Sequence, residues 1–276
     1  MVRVIQILNL QPTILSMVNK SGRLRNDLKS FFGKIMKTIV FSCKYSNIVP
    51  YFAIQFNKYF SPLWPVVVLS PRDIPELPSN FEVFKLPQYS SSWCDDLIPF
   101  FDQFTDTCFH ACMEDHFLYD HVNISDVRAG QSLIGLNKID KFGFQVGPRE
   151  GSIPFKLSND LEHLYPNLEQ QTRYCNLIST LQPSVWRTDL FRKLLYTSRG
   201  KSAWQFETEN REPFWAIENI GVFKIHPEPY PVADIVRQGA SRKGGNAIPN
   251  NDFWTSRITD PDDLKVFTAA TKEIFG

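Results

Sequence analysis

The segment Cys112-Met113-Glu114-Asp115-His116-Phe117-Leu118 is where this chain has most to offer chemically, because an apolar run ends abruptly in two carboxylates and an imidazole. Carboxylates at the end of a buried strand suit a hard divalent cation, which takes oxygen ligands and shares them readily with phosphates. A cation held there neutralises charge building up on a leaving diphosphate and orients it. Asp115 is the first candidate ligand. The competing reading, that an acidic pair closing a strand is simply solvated loop, is weakened by Phe117 and Leu118, which anchor the pair on its far side as the strand does on the near side.

Several elements must position that segment. Residues 37–43 form a β-branched, apolar run with strand character, and residues 47–60 place Val49, Phe52, Ala53, Phe56 and Phe60 at helical spacing. Residues 65–70 are a short continuous apolar strand, 81–86 a third and 107–113 a fourth, with a serine-capped helix over 91–104 carrying Asp95 and Asp96 in its first turn. Continuous apolar strands alternating with helices predict an α/β fold with a mostly parallel central sheet covered on both faces. In such sheets ligands bind beyond the carboxyl ends of the strands, where Glu114 and Asp115 fall. The pattern further predicts a helix over 124–137, a strand over 142–146, an irregular span over 147–166, a strand over 174–180, helices over 188–196 and from 202 to 209, and a Gly- and Asn-rich loop over 239–250.

In this order and chemistry the sequence resembles inverting, nucleotide-sugar-dependent glycosyltransferases of the GT-A fold, GT2-like in type, in which a strand ends in an E-D-aromatic-F-L motif instead of a plain D-x-D. Ser42-Cys43-Lys44-Tyr45, Ser92-Trp93-Cys94-Asp95-Asp96-Leu97, Leu181-Gln182-Pro183-Ser184-Val185-Trp186-Arg187 and Ala203-Trp204-Gln205-Phe206-Glu207 are similar to further segments of that group, in the family's order, so that the resemblance spans roughly residues 36–245. It implies a hexosyl- or deoxyhexosyltransferase for carbohydrate assembly. The donor would be a nucleoside-diphosphate sugar and the acceptor a carbohydrate or glycolipid hydroxyl, with Mn or Mg as the cation.

Residue by residue, the resemblance implies metal binding at Asp115, with His116 as a second ligand where the family often has Asp or Tyr. Donor contacts fall to Ser42, Lys44, Tyr45, Trp93, Asp96 and Glu114, with Arg242 on a basic glycine-rich loop beside Arg237 and Lys243. Glu207 stands where a carboxylate deprotonates the acceptor, as an inverting transfer requires. Gln182, Trp186 and Trp204 would line the acceptor groove, the indoles because sugars pack their C–H faces on aromatic rings. For both tryptophans core packing is the competing reading, and for Glu207 it is a helix-start carboxylate favoured by the macrodipole.

Composition excludes other classes. With 30 basic and 29 acidic residues the net charge of +1 gives no field for nucleic acid. Five cysteines, an odd number without paired short spacing, point to reduced thiols and a cytoplasmic protein. No apolar run reaches the roughly 18 residues of a membrane span. Residues 1–35 read as an accessory segment and a poor secretory signal, with an amphipathic helix over 22–35 that leaves peripheral membrane contact open. Residues 36–276 read as one GT-A-like domain: a nucleotide-binding half to about 120, an acceptor half to about 250, and a C-terminal helix over 251–276.

Cys108-x-His110-x-Cys112 offers three zinc-type ligands, but in-line ligands on one strand cannot wrap a tetrahedral ion. Asn123-Ile124-Ser125 is a formal glycosylation acceptor without a secretion signal. The G-x-G-x-x-G, G-x-x-x-x-G-K and G-x-S-x-G motifs are absent, which removes dehydrogenase, P-loop and α/β-hydrolase readings. Two rivals stay open: a nucleotidyltransferase, disfavoured because Cys43-Lys44-Tyr45-Ser46-Asn47 replaces a Gly-rich loop after the first strand, and a non-catalytic glycan- or partner-binding domain, motivated by His116 in the acidic motif.

Overall fold

The computed structural model describes residues 35–276 except 43, 75, 88–91, 145–151, 156–167, 172–178, 210–221, 225–229, 239–246 and 250–254. The expected helix over 22–35 and Arg242 therefore lie outside the described residues. Met36–Gly276 forms one compact unit.

Strands β1 (Thr38–Phe41), β2 (Val66–Ser70), β3 (Phe81–Lys85) and β4 (Cys108–Met113) pair in parallel in the order β3-β2-β1-β4. Every residue of β1 and β2 is buried, as continuous apolar strands require when helices cover both faces. The helices that connect them are α1 (Val49–Tyr59), entered through a 3-10 turn over Ser46–Ile48, and α2 (Trp93–Gln103), whose first turn is capped by the Ser92 hydroxyl accepting from Asp95 N–H.

Beyond β4 the sheet becomes mixed. Short β5 (His116–Leu118) leaves it, α3 (Ile124–Gly135) follows, and then β6 (Lys141–Gly143), β7 (Ser152–Phe155), β8 (Leu168–Gln171) and β9 (Ser184–Arg187) join. With β10 (Val222–Lys224) the described order is β3-β2-β1-β4-β9-β6-β10-β8-β7; β9 is antiparallel to both β4 and β6. Helices α4 (Thr188–Thr197) and α5 (Ala203–Glu209) follow β9. Two small ribbons complete the topology: β5 with β11 (Val232–Asp234), and β12 (Val236–Gln238) with β13 (Ala247–Pro249). The C-terminal helix α6 (Pro261–Phe275) packs on α1.

The core on one sheet face joins Ile39, Phe41, Leu69, Phe109 and Ala111 to Leu97 and Phe101 of α2, Phe191 and Leu194 of α4 and Phe206 of α5. The Phe41 ring meets Trp93 edge-on at 5.3 Å and stacks on Phe191 at 5.7 Å. Trp186 belongs to this core: it is fully buried and edge-on to Phe191 at 5.2 Å. That corrects its assignment to an acceptor groove, since an indole with no accessible surface meets no sugar. Opposite, Phe52 of α1 lies edge-on to Phe81 and Phe117. Asp263 of α6 is buried against α1, taking Gln55 Nε2 at 3.0 Å, Lys58 Nζ at 2.6 Å and the Tyr59 hydroxyl.

The four expected parallel strands and their helices are present with ends one or two residues shorter. Differences concentrate after residue 143. The span expected to be irregular holds β7, β9 precedes α4 where only a lead-in was expected, and Ser179–Thr180, the end of the strand expected over 174–180, is a turn whose earlier residues lie outside the described set. β12 and β13 likewise fall within or beside the expected C-terminal loop.

Gly130 fixes how closely α3 approaches β6. A Cβ there would lie 2.9 Å from both Cβ and Cγ of Phe142, itself fully buried. Ala gains roughly 1 kcal/mol over Gly in a helix interior, but forced overpacking costs roughly 1–3 kcal/mol. Gly130→Ala is therefore expected to lower the urea midpoint by an amount equivalent to up to about 2 kcal/mol with an unchanged slope; a raised midpoint would show that α3 can shift.

Candidate functional site: a carboxylate cluster at the sheet edge

The end of β4 carries the chain directly to the site. β1 and β4 pair with Phe41 opposite Met113, so Ser42 and Glu114 are the next residues out on neighbouring strands. Glu114 is 2% exposed, and its Oε1 accepts the backbone N–H of Tyr45 at 3.0 Å and of Lys44 at 3.3 Å. Among the described residues its Oε2 has no hydrogen-bond partner. Burial pushes the carboxyl above the ordinary range, and the Tyr45 and Lys44 N–H groups only partly offset this. Glu114 thus works from beneath, fixing the loop after β1. Lys44 is exposed, with its ammonium 5.1 Å from the centre of the half-buried Tyr45 ring.

Asp115 is partly exposed at the turn between β4 and β5, and its carbonyl accepts Ile235 N–H at 2.9 Å. Its carboxyl is held well above the usual aspartate range, first by desolvation and then by the negative charges of Glu114, Asp234 and Glu207. The charges that act on Asp115 thus come from three parts of the chain: the residue after β4, β11 and α5. Asp234 is placed by the β5–β11 ribbon, whose register sets it opposite His116.

His116 is 5% exposed, and its Nδ1 accepts Met113 N–H at 3.2 Å. In the neutral ring the proton then resides on Nε2, which lies 3.6 Å from Asp234 Oδ1. Desolvation lowers its pKa, against the opposing pull of Asp234 and Glu207. The expectation of His116 as a metal ligand stands against this geometry: with Nδ1 taking Met113 N–H, a free lone pair on Nε2 in the neutral ring would require that hydrogen bond to break.

Glu207 lies half-buried in α5, and among the described residues both hydrogen bonds to its carboxylate fall on Oε1: Leu181 N–H at 2.6 Å and Thr180 Oγ1 at 3.1 Å. The Ser179 hydroxyl donates to the carbonyls of Phe206 and Glu207 at 2.7 and 3.0 Å, which secures the helix to the same turn. Trp204, one helical turn before Glu207, is 50% exposed, and Gln182, half-buried, follows the turn that holds Glu207.

Burial thus sorts the sequence-predicted residues. Lys44, Tyr45, Asp115, Gln182, Trp204 and Glu207 offer surface to a ligand. Ser42, Trp93 and Asp96, at 0%, 5% and 7% exposure, do not, and their expected donor contacts are corrected to supporting positions. Trp93 packs edge-on against Phe41 and at 5.3 Å from Phe206, the neighbour of Glu207. Among the described residues neither the buried Ser42 hydroxyl nor Glu114 Oε2 has a hydrogen-bond partner.

Sequence reasoning missed Asp234. Its one available signal was an acidic residue closing the short apolar run Val232-Ala233-Asp234, the same pattern as at Met113-Glu114.

Among the described residues no three His, Cys, Asp or Glu side chains form a metal cage by themselves. The donor set nonetheless fits a Mg- or Mn-type cation, which typically takes one or two carboxylates and completes its shell with substrate phosphates and water. The mutual repulsion at Asp115 is what such a cation would relieve. Cys108, His110 and Cys112 form no such site: Cys108 Sγ meets Met36 Sδ at 3.6 Å, while His110 is buried, accepts or donates at Thr38 Oγ1 at 3.0 Å and is pushed by desolvation to about 3.

No family profile matches this chain. No curated protein matches it either. Solved structures similar to it include Staphylococcus aureus TarS in complex with UDP-GlcNAc, at 15% identity and TM-score 0.47 over 85% of this chain and 66% of that one. Others are the 4-diphosphocytidyl-2C-methyl-D-erythritol synthase of Anaerococcus prevotii (8%, 0.45, over 88% and 100%) and the Pyrobaculum calidifontis mannosyltransferase PcManGT with GDP-Man and Mn2+ (11%, 0.43, over 88% and 79%). The chain spans 60% of a second TarS structure and 50% of the bifunctional IspDF of Campylobacter jejuni.

The raised Asp115 carboxyl makes stability fall as pH rises. The folded state binds this proton more tightly than the unfolded chain does, so the penalty is absent below the ordinary aspartate value of 3.8 and grows as pH climbs towards the folded value. In metal-free buffer Asp115→Asn is expected to stabilise the protein by roughly 1–2 kcal/mol at pH 7–8, with the gain shrinking towards pH 4. Urea unfolding across pH checks this, and a pH-independent effect or a loss would contradict it.

Proposed function

We propose that the protein transfers a sugar from a nucleoside-diphosphate sugar to an acceptor hydroxyl, with inversion and with help from a divalent cation. The convergence of Asp115, Asp234 and Glu207 beyond the carboxyl end of β4 carries this reading, together with the sequence resemblance around Glu114-Asp115-His116.

In this reading Lys44 and Tyr45, held by Glu114, meet the nucleotide, and Asp115 with Asp234 holds the cation. The cation supplies charge stabilisation for the departing diphosphate. Ligation requires ionised carboxylates, so Asp115 would bind a cation in its deprotonated form. Glu207 accepts the proton of the acceptor hydroxyl as the new glycosidic bond forms on the face opposite the diphosphate. Its Oε1 is fixed by Leu181 and Thr180, which leaves Oε2 to take that proton. Trp204 gives the acceptor an exposed aromatic platform beside the base. Nothing in the described residues adds a Gly-rich basic loop after β1, so attack on an α-phosphate lacks its usual cradle.

The test is turnover of a panel of nucleotide sugars with Mn2+ and mixed carbohydrate acceptors, read as nucleoside diphosphate released. Glu207→Gln is expected to lower kcat by about 10²–10⁴ with donor affinity retained, and Asp115→Asn to abolish turnover in a folded protein. Full activity in Glu207→Gln would remove the base role, and release of pyrophosphate from nucleoside triphosphates would favour nucleotidyl transfer instead.

A further inference from the structure

Lys141 sits in the middle strand region of the sheet with 1% exposure. Its register partner across the antiparallel β6–β9 pair is Trp186. Cross-strand partners share a face, so Lys141 projects to the Trp186 side, the side covered by α4 and α5. There its ammonium lies 4.3 Å from the centre of the Trp186 ring and donates to Thr180 O at 3.0 Å.

Burying an ammonium is costly, and an apolar side chain in this well-packed place would avoid that cost. Among its contacts, the ammonium supplies a strong donor to the Thr180 carbonyl. Thr180 is the residue whose hydroxyl donates to Glu207 Oε1 at 3.1 Å, and the next N–H, of Leu181, donates to the same oxygen at 2.6 Å. Ser179, on the other side of Thr180, is fully buried and holds the backbone of Phe206 and Glu207. The turn over residues 179–181 is thus the template on which Glu207 is set, and it is anchored to the sheet by Lys141.

We propose that Lys141 is a positioning residue: by fixing the Thr180 carbonyl it holds the Thr180–Leu181 donors, and through them the Glu207 carboxylate, in the geometry needed to take a proton from the acceptor. The proposal rests on Glu207 being the base. Lys141 itself touches neither substrate nor cation.

The experiment compares wild type with Lys141→Met, similar in length and without a donor, and Lys141→Arg, which restores one. Two readouts are taken on the full chain: hydrogen exchange at the Leu181 amide with Mn2+ present, and kcat and KM on the nucleotide-sugar panel. In Lys141→Met the Leu181 amide is expected to exchange at least tenfold faster, and kcat to fall about 10- to 100-fold, as loss of alignment at a reacting group does. The donor KM is expected to stay within a factor of about 2–3, since the Lys44–Tyr45 and Asp115 contacts are untouched. Lys141→Arg is expected to recover most of both. Should Lys141→Met not fold, Lys141→Gln, whose amide stops short of Thr180 O, carries the same expectation.

Unchanged Leu181 exchange in a folded variant overturns the proposal, as does a kcat loss without faster exchange or a donor KM that rises in step with the kcat loss. If Glu207→Gln keeps full turnover, or no donor is turned over by wild type, the reading of Glu207 as base fails by itself. Leu181 exchange then decides whether Lys141 sets that carboxylate.

Discussion

The constraint on which the structure depends is like-charge crowding at the carboxyl edge of the sheet. Desolvation and the charges of Glu114, Asp234 and Glu207 all act on Asp115 in the same direction. Left to themselves, side chains so placed would rotate apart or take up protons. Here backbone donors hold the neighbours of Asp115 in place: Tyr45 and Lys44 for Glu114, Leu181 for Glu207, and Met113 for His116, which in turn faces Asp234. Fixed N–H groups hold these acceptors without reorganisation, so the charges stay together at the edge.

The rest of the fold serves that edge. The parallel β3-β2-β1-β4 half brings Ser42 and Glu114 to adjacent strand ends, the β5–β11 ribbon delivers Asp234, and the Phe41–Trp93–Phe206 contacts seat α5 so that Glu207 reaches the same place. Lys141 and the 179–181 turn complete the seating from below. In the proposed function, binding and proton transfer fall to side chains on different elements, and the sheet gives them a common reference.

The first half of the fold was legible because β1, β2 and β4 are buried and read as largely apolar runs, while amphipathic helices separate the strands. The second half was not. β7 contains Pro154 and β9 opens on Ser184 after Pro183, so propensity alone gives no strand, and pairing with distant neighbours decides their conformation. Of the acidic edge, Asp115 and Glu207 were singled out by type and context, and the structure sets them near enough for the Glu207 charge to act on Asp115. Asp234 was not, since its place depends on a ribbon joining residues more than one hundred positions apart. Trp186 misled for the opposite reason: an indole suits a sugar face and a hydrophobic core equally, and only burial separates the two.

The account turns on whether that edge binds a diphosphate through a cation. Isothermal titration of wild type with UDP, GDP, CDP, ADP and TDP, in Mn2+ and in chelator, addresses this most directly. The account predicts that one nucleoside diphosphate binds at least tenfold more tightly with Mn2+ and that Asp115→Asn removes the difference. Equal affinity in chelator, or no binding by any nucleotide of the set, would contradict it.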